Sequence, residues 1–266
     1  MALTALAAQA PTVEPWTEDK LSMSDKPLHD KTAWISGASR GIGRAIAVSL
    51  ARAGATVIAG ARDVEALRQL QTVLGASGGI VHGVALDVSS LESVDAFAAQ
   101  AMELAGPPSI LVNNAGSGLF KDMTEMTPAD FDRQIDVDLK GPWYLSRAAV
   151  PHMKKFGEGR IVNIGSVAGL HAFKRGTAYC AAKAGLDAMS EAMMLELREF
   201  GIHVTLIAPG SVHTAFHQQA LPAAHHGDQS WMLTPEDIAA ACLHVLTSPP
   251  AALISRYEIR PLKPVK

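Results

Sequence analysis

The chain has 266 residues, 48 % of them hydrophobic and 18 % charged, with a formal net charge of -3. That composition suits one α/β domain with a sizeable core and excludes disorder as the main state. The slightly acidic balance supplies no basic field for nucleic acid or a membrane surface, and no apolar run reaches the roughly 18 residues a membrane span needs.

The opening stretch MALTALAAQAPTVEPWTEDK is rich in alanine and has no Lys or Arg before Lys20, so it fits neither a secretory signal nor a transit peptide. Residues 1–30 are expected to form a flexible extension, and 31–266 a single domain. Cys180 and Cys242 offer no disulfide framework and no metal-ligand spacing. They read as buried small hydrophobes in a reducing, cytoplasmic compartment.

From Lys31 onward, short apolar runs alternate with amphipathic ones. The runs TAWIS (32–36), TVIAG (56–60), IVHGVAL (80–86), SILVNN (109–114), RIVNIGS (160–166), IHVTLIA (202–208) and RYEIR (256–260) predict strands. Their near-continuous hydrophobicity is that of strands buried on both faces. Between them, helical spacing places Ile42, Ile46 and Leu50 on one face, and Leu67, Leu70 and Leu74 on another. Gly54 and Gly75 stand where left-handed helix caps are expected. Repeated β–α alternation predicts a doubly wound parallel sheet of seven strands flanked by helices on both faces.

The first strand runs into SGASRGIGRAIA, with Gly37, Gly41 and Gly43 opening a helix. Glycines let the backbone approach a ligand closely, and amides at a helix N-terminus attract a diphosphate. The alternative is a tight β–α turn with no ligand. The end of the second strand bears on the choice of nucleotide. Where an NAD site usually has an acidic residue, this chain has Ala61 followed by Arg62, and Arg40 lies in the glycine loop. Two guanidiniums suit a ribose 2′-phosphate, so NADP(H) is expected in preference to NAD(H); otherwise Arg62 merely lies along the surface.

In order, the chain carries SGASRGIG, LDV (86–88), NNAG (113–116), Ser166, Tyr179-Cys-Ala-Ala-Lys183 and PGSVHT (209–214). This set resembles the short-chain dehydrogenase/reductase superfamily, in its compact branch of 3-oxoacyl-[acyl-carrier-protein] and carbonyl reductases, over roughly Lys31 to Pro261. The resemblance implies a doubly wound Rossmann fold and roles for particular residues. Gly37, Ser39, Arg40, Gly41, Ile42 and Gly43 would cradle the cofactor, and Asp87 and Val88 would border its adenine. Asn113, Asn114, Ala115 and Gly116 would steady the central strand and flank the cofactor ribose. Pro209 and Gly210 would face the nicotinamide, with the Val212 amide on the carboxamide and Thr214 on the diphosphate.

Tyr179 and Lys183 are four residues apart, which stacks them on one helix face. A free tyrosine, with pKa about 10, shuttles protons poorly near neutrality. A neighbouring ammonium favours the phenolate, and catalysis improves as the pKa nears the working pH. Taken alone, such a pair is more often structural. With the ordered motifs, Tyr179 becomes the general acid in reduction and the general base in oxidation. Lys183 would tune it and hold the nicotinamide ribose, and Ser166 would polarise the substrate carbonyl. Asp138 stands where the family usually has an Asn whose backbone carbonyl holds a water linked to the lysine. An aspartate keeps that carbonyl; if ionised, it weakens the pull of Lys183 on Tyr179. On that reading Asp138→Asn is expected to raise kcat, most clearly at low pH.

Leu119 and Phe120, His171 and Phe173, and Phe216 with Trp231 and Met232 are the substrate-pocket candidates. His225 and His226 read as loop histidines, with no metal. Apolar Met189, Met193 and Met194 fit either an interior face or the interface of a homotetramer, with a homodimer as the fallback. The expected activity is NADP(H)-dependent interconversion of a ketone, aldehyde or 3-oxoacyl group and an alcohol. The alternatives are a non-catalytic NADP-binding sensor and an NAD(P)-dependent polyol or steroid alcohol dehydrogenase.

Overall fold

Seven parallel strands form the centre of the computed structural model, which describes residues 26–216 and 229–263. They are β1 (Thr32–Ser36), β2 (Thr56–Ala61), β3 (Ile80–Ala85), β4 (Ile110–Asn113), β5 (Gly159–Ile164), β6 (Ile202–Pro209) and β7 (Arg256–Ile259). The spatial order is β3-β2-β1-β4-β5-β6-β7. Every predicted strand is present, with ends within two residues of the expected ones. The helices are α1 (Gly41–Arg52), α2 (Val64–Ala76), α3 (Leu91–Ala105), α4 (Pro128–Ile135), α5 (Gly141–Phe156), α6 (Thr177–Leu197) and α7 (Pro235–Leu246).

Alternation along each strand explains the two-sided burial. Ala33, Ile35, Val57, Ala59 and Val112 meet Ile46 and Leu50 of α1, Leu67 and Leu70 of α2, and Ile238 and Val245 of α7. Their neighbours Trp34, Ile58, Leu111 and Ile161 point the other way, onto Phe97 of α3, Leu145 and Met153 of α5, and Leu197 of α6. A strand apolar at every position is therefore what a sheet between two helical layers requires.

Most helices start on side-chain caps. Asp63 accepts from the Ala66 N–H, Ser90 accepts from Ser93, and Thr127 and Thr234 close capping boxes with Asp130 and Asp237. Two helices begin without a side-chain cap after a loop: α1, behind Arg40, and α6, behind Gly176. Both face the carboxyl ends of the strands. The chain winds from β1 out to β3 and returns to start β4 beside β1, which opens the crevice where such sheets bind ligands.

Two expectations need adjusting. Gly54 does take a left-handed φ of 99° after α1, but Gly75 lies inside α2, and the left-handed turn falls at Gly78 (φ 79°). The apolar period stops at Leu74, whereas the backbone closes only when the Gly79 N–H donates to Leu74 O at 2.9 Å. The folded chain also starts ahead of Lys31: Leu28 is buried in the core and its N–H donates to Ala53 O at 3.0 Å. Residues 1–25 lie outside the described residues, as do His225 and His226. Met193 and Met194 are partly buried on the core beneath α6, and Met189 packs beside Leu186 and Leu206. The exposed large apolar side chains on these two helices are Leu195 on α6 and Trp143 and Phe156 on α5, because helical period alone does not tell an inner stripe from an outer one. Finally, Asp138 sits in a π-helical turn, Asp136–Lys140, that joins α4 to α5.

Candidate active site

The glycine loop is held by polar contacts from β4. Ser36 Oγ accepts from the amides of Asn114 and Ala115, each at 3.0 Å, and Asn114 Nδ2 donates to Ser36 O (3.0 Å) and Gly37 O (3.3 Å). The Ala38 N–H donates to Gly60 O at 3.1 Å, tying the loop to β2. The three glycines do different work. A Cβ on Gly43 would lie 2.3 Å from both Asn114 Nδ2 and Gly37 O, and one on Gly37 would lie 2.8 Å from Ala115 Cα. These two let the chain fold on itself. Gly41 takes a left-handed φ of 54°, and a Cβ there would make only ordinary contact with the Thr214 side chain, at 3.4 and 3.6 Å.

At Gly41, then, a helix begins with no side-chain cap and no acidic residue in its first turn, beside Thr214. That is an anion-binding end built from backbone, and it fits a dinucleotide diphosphate. Ser39 and Ile42 are half-buried in the same loop, and Arg40 is exposed. Arg62 emerges exposed beyond β2, after buried Ala61. Asp87 lies past β3; the Ser89 hydroxyl, at 2.6 Å, holds its carboxyl below the usual range against the cost of burial, with further help from the charges of Arg62 and Arg133. Val88 is buried, and a Cβ on Gly141 would strike it at 2.8 Å, so its side chain serves the packing of α5.

At the next strand ends a second cluster forms. Ser166 stands two residues past β5 and caps a 3₁₀ turn, Val167–Gly169, by accepting from the Ala168 N–H at 3.1 Å. Tyr179 and Lys183 lie on one face of α6, both buried, with Nζ 5.8 Å from the Tyr179 ring centroid. Lys183 Nζ donates to Ile164 O at 3.1 Å and is also 3.1 Å from Asp138 Oδ1.

The Asp138 contact changes the electrostatics. Burial pushes the Tyr179 phenol above its usual value; Lys183 and a hydrogen bond from Ser166 pull it down, while Asp138 pushes it up. Lys183 pulls the phenol down as expected, but burial outweighs it and Asp138 opposes it, so the net direction is upward. Burial also opposes the charge on Lys183, but the attraction of Asp138 and then Tyr179 holds its pKa above the ordinary range.

Three phenylalanines close over the phenol. Ring centroids of Phe120, Phe216 and Phe173 lie 5.5, 5.9 and 6.4 Å from that of Tyr179, and Phe120 meets Phe173 edge-on at 5.1 Å. The Phe216 ring sits where a Cβ on Gly118 would be, and the Phe173 ring sits against Gly176. His171 is exposed on the loop before α6 and takes no part in these ring contacts. Met232 is buried, and Leu233 pairs with Val212 in a short bridge. Pro209 ends β6, and the Gly210 N–H donates to Ile259 O at 2.7 Å.

A family model for short chain dehydrogenase matches residues 31–224. The chain belongs to the short-chain dehydrogenase family. It is 35 % identical over 235 residues to an uncharacterized oxidoreductase of Staphylococcus aureus (strain USA300), covering 88 % of this chain and 99 % of that one. Among solved structures it resembles a metagenomic short-chain oxidoreductase in complex with NADP, with a TM-score of 0.78, 37 % identity, and coverage of 89 % of this chain and 100 % of that one. It also resembles an alcohol dehydrogenase of the archaeon Thermococcus sibiricus complexed with 5-hydroxy-NADP, with a TM-score of 0.80, 31 % identity, and coverage of 89 % and 99 %. The protein is thus an oxidoreductase with the Rossmann-like sheet of its relatives.

Asn113 of the short-chain dehydrogenase was marked in the sequence, but the buried chain of partners around it was not. Asn113 Nδ2 donates to Asn163 Oδ1 (2.8 Å) and Ser146 Oγ (3.2 Å), and Asn163 Nδ2 donates to Ser190 Oγ (2.8 Å). This buried chain stitches α5, β4, β5 and α6 together beneath the cluster. Its signal was an asparagine in each of two apolar strands, and Asn113 and Asn163 are register partners. Ser117 and Gln134, which contact Asp138, carried no such mark.

Proposed function

We propose that the protein is an NADP(H)-dependent reductase of an apolar ketone, aldehyde or 3-oxoacyl group. The observation that carries this reading is the gathering of Ser166, Tyr179 and Lys183 beside an uncapped, glycine-lined helix end. When bound, the nicotinamide cofactor supplies the hydride in reduction and takes it back in oxidation. Its diphosphate would rest on the loop from Gly37 to Gly43 with Thr214, and its adenine would border Asp87 and the backbone of Val88. Asn114, Ala115, Gly116 and Lys183 would hold the nicotinamide ribose, and Pro209, Gly210 and Val212 the nicotinamide end. Arg40 and Arg62 leave adjacent strand ends and suit a 2′-phosphate. The NADP carried by the metagenomic relative supports that preference.

Ser166 holds the substrate oxygen and Tyr179 protonates it as alkoxide character develops. A phenol with a raised pKa is protonated at neutral pH, which is the form reduction needs. The cage of Phe120, Phe173 and Phe216 favours an apolar carbonyl over a polyol. Exposed Leu195, Trp143 and Phe156 support assembly through α5 and α6, as a homotetramer or a homodimer. Free Cys180 and Cys242 suit a reducing cytoplasm. No helix among the described residues is long and apolar enough to cross a membrane.

The test is a panel of carbonyls and alcohols followed by NADPH absorbance, with Tyr179→Phe as control. Reduction of apolar carbonyls that disappears in the variant supports the reading. Cofactor binding without turnover on any member points to the sensor instead, and turnover surviving Tyr179→Phe removes the mechanism.

A further inference from the structure

Asp138 is fully buried, and its two oxygens face different partners. Oδ2 accepts from the Ser117 N–H (3.0 Å), the Ser117 hydroxyl (3.0 Å) and Gln134 Nε2 (2.5 Å). Three donors converge on that one oxygen and fix it as an acceptor. Oδ1 makes no well-formed hydrogen bond and lies against Lys183 Nζ at 3.1 Å. One edge of the carboxylate is anchored, and the other is presented to the ammonium.

Gln134 is itself buried and fully engaged. Besides Asp138, its amide donates to Ser117 O at 2.8 Å, and its Oε1 accepts from the Leu119 N–H at 3.1 Å. Leu119 precedes Phe120, the ring nearest Tyr179. One side chain therefore fixes both the counter-charge of Lys183 and the loop that carries the aromatic wall. An apolar residue on this face of α4 would leave the part-buried Leu119 N–H and Ser117 carbonyl without these partners.

We propose that Gln134, with Ser117, is a positioning residue of the proton-transfer site: it clamps Asp138 as a carboxylate against Lys183, so that the phenol of Tyr179 keeps its proton and the site is set for reduction. This rests on the reading of Tyr179 as the proton donor. The titratable groups facing the carboxylate and the phenol are Lys183, Tyr179 and, beside the phenol, Cys180. Elsewhere on α4 and the π turn, Asp130 pairs with Lys121 at 2.8 Å and Asp136 with Lys140 at 2.7 Å, while the charge of Arg133 acts on Asp87 and that of Asp132 on Lys140. An anchored carboxylate offsets the field of Lys183 at the phenol; a loosened or neutral one does not.

The test reads the cofactor-free protein, so it needs no substrate. Phenolate absorbance is titrated with pH, and the Tyr179→Phe protein is subtracted to isolate Tyr179. Asp138→Asn is expected to lower the Tyr179 midpoint by about one unit. Gln134→Met, similar in volume, should lower it by less, and should add nothing in the Asp138→Asn background if it acts through that carboxylate. Ser117→Ala removes one hydroxyl donor, and is expected to give a smaller shift in the same direction even if Gln134→Met does not fold. Midpoints unmoved or raised in Asp138→Asn, or equal Gln134→Met shifts in both backgrounds, overturn the proposal. Turnover of the Tyr179→Phe protein is the separate measurement that overturns the underlying reading.

Discussion

The two ends of the crevice are built by opposite means. At the glycine loop the ligand-facing surface is backbone: an open position at Gly41, a helix start without a side-chain cap, and packing glycines that admit no side chain. At the proposed catalytic corner it is side chain: Tyr179, Lys183 and Asp138 lie buried together, and Asp138 bears on both the phenol and the ammonium. A backbone site tolerates chemistry around it but not volume. A buried charge cluster tolerates some change of volume but not of charge.

The largest effect should come from the catalytic corner. Tyr179→Phe removes the only proposed proton donor, so kcat should fall by about 10²-fold or more while NADPH titrated by its fluorescence still binds. Retained turnover would break the contrast at its stronger end.

At the other end, Gly43→Ala should be the costliest small change. Its methyl meets Asn114 Nδ2 and Gly37 O at 2.3 Å, so a loss of about 1–3 kcal/mol is expected in urea unfolding, together with cofactor affinity. Gly41→Ala has room for its methyl but a left-handed backbone, so it should cost only about 1 kcal/mol in stability. Its loss should appear mainly in the dissociation constant for NADPH. Equal stability losses in the two variants would erase the distinction between the packing and the ligand-facing glycines.

Cofactor choice is expected to move less. Ala61→Asp places an acidic residue at the end of β2, and the kcat/KM ratio of NADP to NAD should fall about tenfold or more. An unchanged ratio would mean that Arg40 and Arg62 do not read the 2′-phosphate.

The smallest effect lies on the rim. The Lys121 hydrogen bond and the Thr127 capping contacts hold the Asp130 carboxyl down to about 2, from an ordinary 3.8. A depressed carboxyl stabilises the fold above its unfolded value, and that contribution is lost as pH falls through the folded one. Thr127→Ala removes the side-chain cap and should lower the urea midpoint at neutral pH. The difference from the parent protein should shrink as pH drops from about 4 toward about 2. A difference constant across that window would show that the carboxylate does not matter to the cap.

Much of this was legible in the chain itself. The seven strands followed from runs such as TAWIS and IHVTLIA, because strands between two helical layers must be apolar throughout. The glycine loop and the Tyr179–Lys183 pair followed from spacing, because a tight turn and a helix face are both local geometry. Whether Met193 faces inward or outward did not follow, because a stripe on α6 has the same period against its own sheet as against a second copy.

Nor did the net shift of the Tyr179 phenol. Proximity to Lys183 in sequence argued for a lowered phenol, but a pKa depends on everything within a few ångströms, whatever its distance along the chain. Asp138 is 45 residues from Lys183 and Gln134 is 49, and folding sets that carboxylate 3.1 Å from the ammonium. Sequence alone determined the sheet, the glycine loop and that Tyr179 and Lys183 share one face of α6, since these rest on local pattern. The tertiary structure alone decided that Lys183 is paired and that three phenylalanines enclose Tyr179, since burial and charge balance belong to the packed chain.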